Sequence, residues 1–464
     1  MRRFAAVTSV LALSACTLGP NYRAPAPATL QVPDTYYQRG AEAPPADLSH
    51  WWDQFDDALL TRLIGEASAS NLDLAVASTR LVQARESLVQ ARAGLVPEAG
   101  ASASVGRTFG AGNDHTTFSV GADASWEVDL FGRIRRGIEA AGADAQSVYY
   151  DREALRVAIA AELATNYIQA RLLQERLALA REDLAIAEDN LQIAQWRVQA
   201  GLASSLDSEQ ARAARAQTAA AIPTLEQNFA SATYRIAVLT GRAPGTLTAE
   251  LSQVKPVPRG PRDVAAGIPA DTLRQRPDVR SAERSLAAAT ARIGVAQAQL
   301  YPALRLSGNI GTSAFSLGGL FNAITGGILG GLTQTLFDGG RLRSQLRSQR
   351  AATEGALATY RQSVLTALED VENALAALNA ARARQTQFAT ALDAANNSAI
   401  LARIQYRSGL TSFDQLLVVE QSLVSARNGL ASSRADESLA LIQLYRALGG
   451  GWDPTATPEI RTTR

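Results

Sequence analysis

The chain has 464 residues, and its 45 lysines and arginines nearly balance 44 aspartates and glutamates, giving a formal net charge of +1. This balance gives no electrostatic reason to expect nucleic acid as a partner. Only two histidines, His50 and His115, and one cysteine are present, which excludes most metal-binding and nucleophilic constellations. We expect no catalytic residue, no metal site and no cofactor beyond a covalent lipid. An envelope hydrolase is disfavoured because neither G-x-S-x-G nor H-E-x-x-H occurs.

The N-terminus has the features of a secretion signal. A basic start is followed by an apolar run of ten residues, 4–13, which is too short to span a bilayer. The next residues, Leu13-Ser14-Ala15-Cys16, resemble the bacterial lipoprotein signal, in which the cysteine is lipidated and becomes the mature N-terminus. We therefore predict a signal peptide over 1–15 and lipidation at Cys16. The alternative is a small buried cysteine behind an ordinary secretory signal. By the same resemblance, Thr17 in place of aspartate favours sorting to the outer membrane.

The rest of the chain nearly repeats itself. Landmark segments recur in the same order 205 to 209 residues apart, which indicates a duplicated structural unit. We predict repeat 1 over 71–241 and repeat 2 over 277–450, joined by a proline-rich linker, 242–276. A proline-rich tether and equatorial segment, 16–70, precedes them, and a tail, 451–464, follows. The landmark pairs are Pro97 and Pro302, Leu130–Arg133 and Leu336–Arg341, Gln199–Leu202 and Arg407–Leu410, and Val238–Gly241 and Ala447–Gly450.

Each repeat alternates helices with glycine-rich segments of β character. After a short helix from Trp51 to about Ile64, we predict a helix, a strand pair, a very long helix and a second long helix in each half. The predicted bounds are helices 71–96 and 277–300, strands about 98–130 and 303–337, long helices 134–199 and 341–407, and closing helices 204–240 and 411–448. Gly318, Gly319, Gly326 and Gly327 are placed in the loop of the second strand pair.

The predicted strands are about ten residues long, which is enough to cross a bilayer when tilted. Four strands cannot close a barrel, and open edges in lipid would leave backbone groups unsatisfied at several kcal/mol each. The chain must therefore combine its strands with those of other copies, and three chains would supply twelve. The alternative is a soluble four-stranded sheet.

The long helices are the stronger evidence. The 66 residues of 134–199 contain no proline and would span about 100 Å. Apolar residues recur every seven positions in both repeats, which favours coiled-coil pairing. Gly201 and Gly409 interrupt the two helix pairs at equivalent places, and we predict a tight hairpin turn at each. The heptad positions are Leu163, Ala170, Leu177, Leu184, Leu191 and Val198 in repeat 1, with Leu173, Ala180, Ala187 and Ala194 three residues on, and Ala367, Val371, Ala374, Leu378, Ala381, Phe388, Leu392, Ala395, Ala399, Ala402 and Tyr406 in repeat 2.

An ordered set of motifs resembles the TolC-like outer-membrane factor family, specifically its OprM/NodT-type efflux lipoproteins. The resemblance implies an α+β membrane protein: a homotrimer with a twelve-stranded transmembrane β-barrel, four strands per chain. A twelve-helix periplasmic α-barrel continues it, with a mixed equatorial domain. It also implies docking to a periplasmic membrane-fusion adaptor and an inner-membrane resistance-nodulation-division pump. The motifs are Cys16–Pro25, Trp51–Phe55, Arg276–Val279, Leu336–Gly340 and Leu444–Trp452.

The resemblance also implies a gate at the periplasmic helix tips. Tyr406 and Arg407 resemble the tyrosine-containing stretch of the family's constriction. The family's acidic positions fall on or near Gln415 and Val418, and its arginine corresponds to Gln421, so this member lacks those charges. The remaining candidates are Asp414, Glu420 and, in the first tip, Asp207. The alternative for Asp414 is a solvated charge at a helix start.

The favoured function is therefore passive export through an outer-membrane channel, with no enzymatic activity. Two alternatives stay open. One is a lipid-anchored periplasmic coiled-coil scaffold whose glycine-rich segments are soluble loops. The other is the outer-membrane channel of a type I secretion system.

Overall fold

The computed structural model describes residues 17–30, 32–38, 48–110, 114–262, 264 and 269–456, so Cys16 and the predicted signal peptide lie outside the described residues. Nine α-helices and four β-strands occupy this part of the chain. The helices are α1 Ala58–Ser70, α2 Leu72–Ala93, α3 Arg133–Gln199, α4 Ser205–Leu239, α5 Thr248–Leu251, α6 Pro269–Gln275, α7 Pro277–Ala298, α8 Arg341–Arg407 and α9 Phe413–Ala447; the strands are β1 Glu98–Thr108, β2 His115–Val128, β3 Ala303–Ala314 and β4 Thr325–Thr333.

The two long helices match their predicted bounds closely. Helices α3 and α8 each have 67 residues, and their first residues lie 208 positions apart. Each begins after a glycine with positive φ, at +80° for Gly132 and +88° for Gly340. An aspartate just before each start accepts hydrogen bonds from the first-turn backbone, Asp129 in repeat 1 and Asp338 in repeat 2. The duplication therefore extends to the capping chemistry of the helices.

The predicted breaks at the helix tips are confirmed. Gly201 and Gly409 adopt φ of +69° and +73°, the left-handed conformation in which glycine ends a helix. In repeat 1, the backbone N–H of Leu202 donates to the carbonyl of Arg197 at 2.8 Å. Five residues separate the helices of each pair, 200–204 and 408–412, so α3 and α4 form one antiparallel hairpin, and α8 and α9 form the other.

The four strands form one antiparallel sheet in the order β1-β2-β3-β4. The prediction of its last strand was wrong in two respects. Gly326 and Gly327 belong to β4, paired with Ile310 and Asn309, because the main-chain ladder to β3 needs no side chain. The strand ends at Thr333 rather than near Phe337, and the segment 334–340 leads to α8.

The predicted short helix after the tether was also wrong in its bounds. Residues Trp51–Phe55 form a 3₁₀ turn, and Asp56 then adopts φ of +49°. Asp57 starts a new helix by accepting the backbone N–H groups of Leu59 and Leu60 at 3.0 and 3.1 Å. This cap lets α1 run to Ser70, six residues beyond the predicted end.

The heptad prediction holds along α8 and only partly along α3. The predicted seam positions of α8 are buried except Phe388 and Leu392, which are half-buried. In α3, Leu163, Ala170 and Leu177 are buried, but Leu184 and Leu191 are only half-buried. The reason is that α3 packs against α4 and α9 together, so its lower half has two contact faces instead of one seam.

The largest core lies where the two repeats meet the N-terminal segment and the linker. Trp51 is fully buried and stacks on Tyr445 of α9 at a centroid distance of 5.3 Å. Leu247 and Leu251 from the linker join the same cluster. The linker therefore packs beside the N-terminal segment. Among the described residues, no helix combines the length and apolar character needed to cross a membrane.

The elements lie side by side in a fixed lateral order. Near the sheet the helices follow the order α2, α3, α7, α8, and near the tips the order α4, α3, α9, α8. One lateral edge of the chain is therefore formed by β1, α2 and α4, and the other by β4 and α8.

Candidate functional site: the helix tips and the membrane-proximal junction

Tyr406 occupies the centre of the helix-tip region. Its side chain is 2% exposed and packs beside Phe413, with ring centroids 5.5 Å apart. The guanidinium of Arg197 on α3 lies 4.7 Å from the centre of the tyrosine ring and also donates to the Tyr406 carbonyl. Burial raises the pKa of Tyr406, the nearby charge of Asp207 adds to the rise, and Arg197 opposes it. Arg197 thus connects the first hairpin to the second.

Glu420 is bound within the second hairpin. Arg403 on α8 donates to both carboxylate oxygens of Glu420 on α9, at 2.5 and 2.7 Å. This bidentate geometry is the stronger form of an arginine-carboxylate contact. The hydrogen bonds to Glu420 raise the pKa of Arg403 above its ordinary value. Glu420 therefore holds α8 and α9 together.

A second ionic contact joins the two hairpins farther from the tips. Arg427 on α9 donates to Asp183 on α3 at 3.3 Å. Burial raises the pKa of Asp183, and the charge of Arg427 partly offsets that rise. Between this contact and the tips lies a cavity of about 380 Å³. Its walls include Asp183, Ile186, Phe413, Leu417, Glu420 and Val424.

The other predicted tip residues are not brought into one cluster. Arg407 and Asp414 are exposed, and Asp207 is half-buried. Gln415 and Val418 are exposed too, and Gln421 lines the cavity. Asp414 stands in the first turn of α9, as the solvated helix-start alternative requires. That alternative fits its surroundings better than a tight constriction within one chain.

The structure adds two residues that the sequence reasoning missed, Arg197 and Arg403. Arg197 is the last positively charged residue before the turn at Gly201. That position in the sequence could have identified it as a helix-tip residue. Arg403 lies 17 residues before Glu420 across the hairpin turn, so only the paired helices bring them together. No group of three or more His, Cys, Asp or Glu side chains in the described ranges could hold a metal ion.

The described start of the tether lies at the junction between sheet and long helices. Thr17 contacts Gly132 so closely that an added Cβ there would lie 2.9 Å from the Thr17 Cα. Arg136 donates to the carbonyls of Leu18 and Gly19 at 3.0 and 3.3 Å. The backbone N–H of Leu18 donates to the Phe131 carbonyl at 3.2 Å. The residue that follows Cys16 is therefore fixed where the strands end and α3 begins.

Comparison with known proteins identifies this architecture. A sequence model described as outer membrane efflux protein matches residues 63–242 and 268–450. The chain belongs to this family. It is 34% identical to nodulation protein T of Rhizobium leguminosarum bv. viciae, over 100% of this chain and 95% of that protein. It is 30% identical to outer membrane protein OprJ of Pseudomonas aeruginosa, over 97% and 95% of the two chains.

Solved structures agree with the assignment. The outer-membrane channel OprN superposes with a TM-score of 0.86 at 34% identity, covering 94% of this chain and 100% of that one. The open state of the MtrE outer membrane channel of Neisseria gonorrhoeae gives a TM-score of 0.82 at 27% identity, covering 95% and 100%. This efflux protein therefore has the fold of the outer-membrane channels, acts in efflux and resides in the outer membrane. Its family consists of transport channels.

Proposed function

We propose that this efflux protein is the passive outer-membrane channel of a tripartite system and that it works as a homotrimer. It receives small molecules from an inner-membrane pump of the resistance-nodulation-division type through a periplasmic adaptor. The pump supplies the energy, and the channel itself catalyses nothing. The proposal rests on one observation. The chain has the same two open sides at the level of the sheet, along the helices next to it and at the helix tips.

Strand β1 and helices α2 and α4 form one edge, and β4 and α8 form the other. Because the same two edges recur from the sheet to the tips, joining one copy's β4 and α8 to the next copy's β1, α2 and α4 closes all layers together. Both edges also expose apolar side chains that a neighbouring copy would cover. These are Val76, Val82 and Val89 on α2, Leu206 and Val238 on α4, and Leu365, Leu401 and Ile404 on α8.

The proposal places a gate at the helix tips. In the resting state the contact of Arg197 with Tyr406 holds the two hairpins together, and the Arg403–Glu420 pair keeps the second hairpin rigid. Asp207, Arg407 and Asp414 complete the charged surroundings of the opening. Opening then requires the α8–α9 hairpin to separate from α3 at this contact.

Lipidation of Cys16 completes the assembly. Thr17 lies at the end of the sheet, beside the first residues of α3. A diacylglyceryl and acyl group on Cys16, including palmitate, would therefore enter the periplasmic leaflet next to the barrel. Mass spectrometry of the mature N-terminus tests this, and an unmodified Cys16 would contradict it.

The function is tested with purified full-length protein in detergent and in planar bilayers. We expect the mass of a trimer and a low resting conductance. Arg197→Gln should raise the open fraction by about tenfold, because a contact of about 1 to 2 kcal/mol holds the closed state. The matched control is Arg212→Gln, which pairs with Glu209 one turn away on the same helix. Monomers that do not conduct would refute the proposal.

A further inference from the structure

Three arginines form an uncovered row at the start of α8, named here the α8 arginine stripe: Arg343, Arg347 and Arg350. All three are exposed, and within the described part of the chain none of them makes an ion pair. Their spacing of four and three residues places them on one face of the helix. The stripe extends about 10 Å along the helix and begins two residues after the helix starts.

The face that carries the stripe can be identified from α8 itself. The positions of α8 that pack against α7 recur every 3.6 residues from Leu342 to Val371, and Thr353 donates to the Ala289 carbonyl at 3.1 Å. Each stripe arginine directly follows one of these packed positions. Glu372 does so as well, and it accepts the backbone N–H of Tyr37 at 2.6 Å. The stripe therefore lies on the face that carries the N-terminal tether, and in the proposed trimer we place this face on the outside.

Because the chain is duplicated, the stripe positions of α8 can be compared with the equivalent positions of α3. The positions of α3 that correspond to the stripe, 208 residues earlier, are Arg135, Glu139 and Gly142. Arg135 donates to Asp129 at 3.2 Å, and Glu139 is paired with Arg136 at 2.6 Å. The charge in repeat 1 is therefore neutralised within the chain. The same face of repeat 2 carries three positive charges with no such compensation.

Apolar side chains lie on the membrane side of the stripe. Leu336 and Phe337, between β4 and α8, are 93% and 91% exposed. In repeat 1 the equivalent Phe131 packs against Tyr301 at a centroid distance of 5.0 Å, and the tether binds its carbonyl. An apolar pair followed by a row of arginines matches the transition from acyl chains to head groups at a membrane surface.

We infer that the α8 arginine stripe binds the phosphate groups of anionic glycerophospholipids in the periplasmic leaflet of the outer membrane. Guanidinium groups match phosphate oxygens in charge and in hydrogen-bond geometry. The stripe begins where the sheet ends, so head groups of the adjacent leaflet lie within reach of its first arginines. The inference rests on the proposed function in one respect, because it requires the strands to lie in the membrane.

The test is native mass spectrometry of the full-length protein in detergent. Phosphatidylglycerol and phosphatidylcholine with the same acyl chains are titrated, and inorganic phosphate is the competitor.

The test variant is Arg343→Gln/Arg347→Gln. The matched control is Arg80→Gln/Arg361→Gln, which removes two exposed arginines farther from the sheet, one on α2 and one lower on the same face of α8. An arginine near an anionic surface contributes about fivefold in affinity. We expect the test variant to lose at least about fivefold in phosphatidylglycerol affinity, with phosphatidylcholine unchanged and the control unaffected.

Three results would overturn the inference. Unchanged phosphatidylglycerol binding in the test variant, or an equal loss in the control, removes the stripe as the site. If the test variant alone lost the trimer mass, the arginines would contact a neighbouring copy of the chain and not lipid. Displacement of the lipid by inorganic phosphate at equal concentration would assign them to a soluble anion. A monomeric unsubstituted protein would refute the proposed trimer instead, while lipid binding per chain would still be measured.

Discussion

The two repeats share their elements but not their surroundings. Helices α3 and α8 have the same length and equivalent starts and ends, yet α3 has 22 buried residues and α8 has 12. The reason is position: α3 packs against α2 and α7 above, α4 and α9 below and α1 between them, whereas α8 packs against α7 and α9 and makes only a small contact with α6. Duplication thus produced one interior helix and one edge helix. In the proposed trimer, the edge helix finds its missing neighbour in another copy.

We expect the largest difference between α3 and α8 in the stability lost on substitution near the middle of each helix. Arg171 on α3 is buried, and its guanidinium donates to Gln174, to the Tyr167 hydroxyl and to the Gln253 carbonyl at 2.7 to 3.0 Å. Arg171→Ala leaves the Gln174 side-chain oxygen and the Tyr167 hydroxyl oxygen without this donor in a buried environment, so we expect a loss of about 3 kcal/mol in unfolding free energy. The measurement is the thermal unfolding midpoint.

The control for this prediction is the equivalent position in repeat 2. Asn379 lies 208 residues later and is exposed on α8. Asn379→Ala should change stability by less than about 0.5 kcal/mol. Equal effects at the two positions would show that α3 is not the interior helix.

We expect a smaller difference in stability between alanine substitutions at the two glycines that precede the long helices. Gly132→Ala and Gly340→Ala both place a side chain at positive φ, at a cost of about 1 kcal/mol. An added Cβ at Gly132 also collides with Thr17, whereas at Gly340 it meets open space. We therefore expect Gly132→Ala to lose an additional 1 to 3 kcal/mol or so, and limited proteolysis to release its tether sooner. Identical behaviour of the two variants would contradict the packing of the tether on repeat 1.

The smallest expected effect concerns pH. Asp183 on α3 is buried, and its equivalent in repeat 2 is the exposed Ala391. Because burial raises the pKa of Asp183 above its ordinary 3.8, the folded protein retains this proton longer than the unfolded chain. Its contribution to stability is therefore fully present below pH 3.8 and is lost as pH rises through the raised pKa.

Asp183→Asn removes that dependence. We expect the unfolding midpoint of the variant to fall less than that of the unsubstituted protein as pH rises from 3.8. The exposed Asp189 provides the control substitution, Asp189→Asn. A steeper fall in the Asp183 variant would show that Arg427, and not burial, dominates the environment of this carboxylate.

The sequence by itself determined the repeated elements. The glycines Gly201 and Gly409, the heptad spacing and the bilayer-length strands are local signals, because turn geometry and hydrophobic period depend on neighbouring residues. They were sufficient to predict the long helices to within a residue and the two hairpin tips. The resemblance of the ordered motifs to the family led to the function, which the comparisons confirmed.

Only the tertiary structure decided which residues meet. The contact of Arg197 with Tyr406 joins side chains 209 positions apart, and no periodicity identifies such a partner. The same holds for Glu420, whose binding by Arg403 depends on the register of two antiparallel helices. The different environments of α3 and α8 likewise follow from lateral packing order, because a sequence repeat specifies what each helix is but not which neighbours surround it.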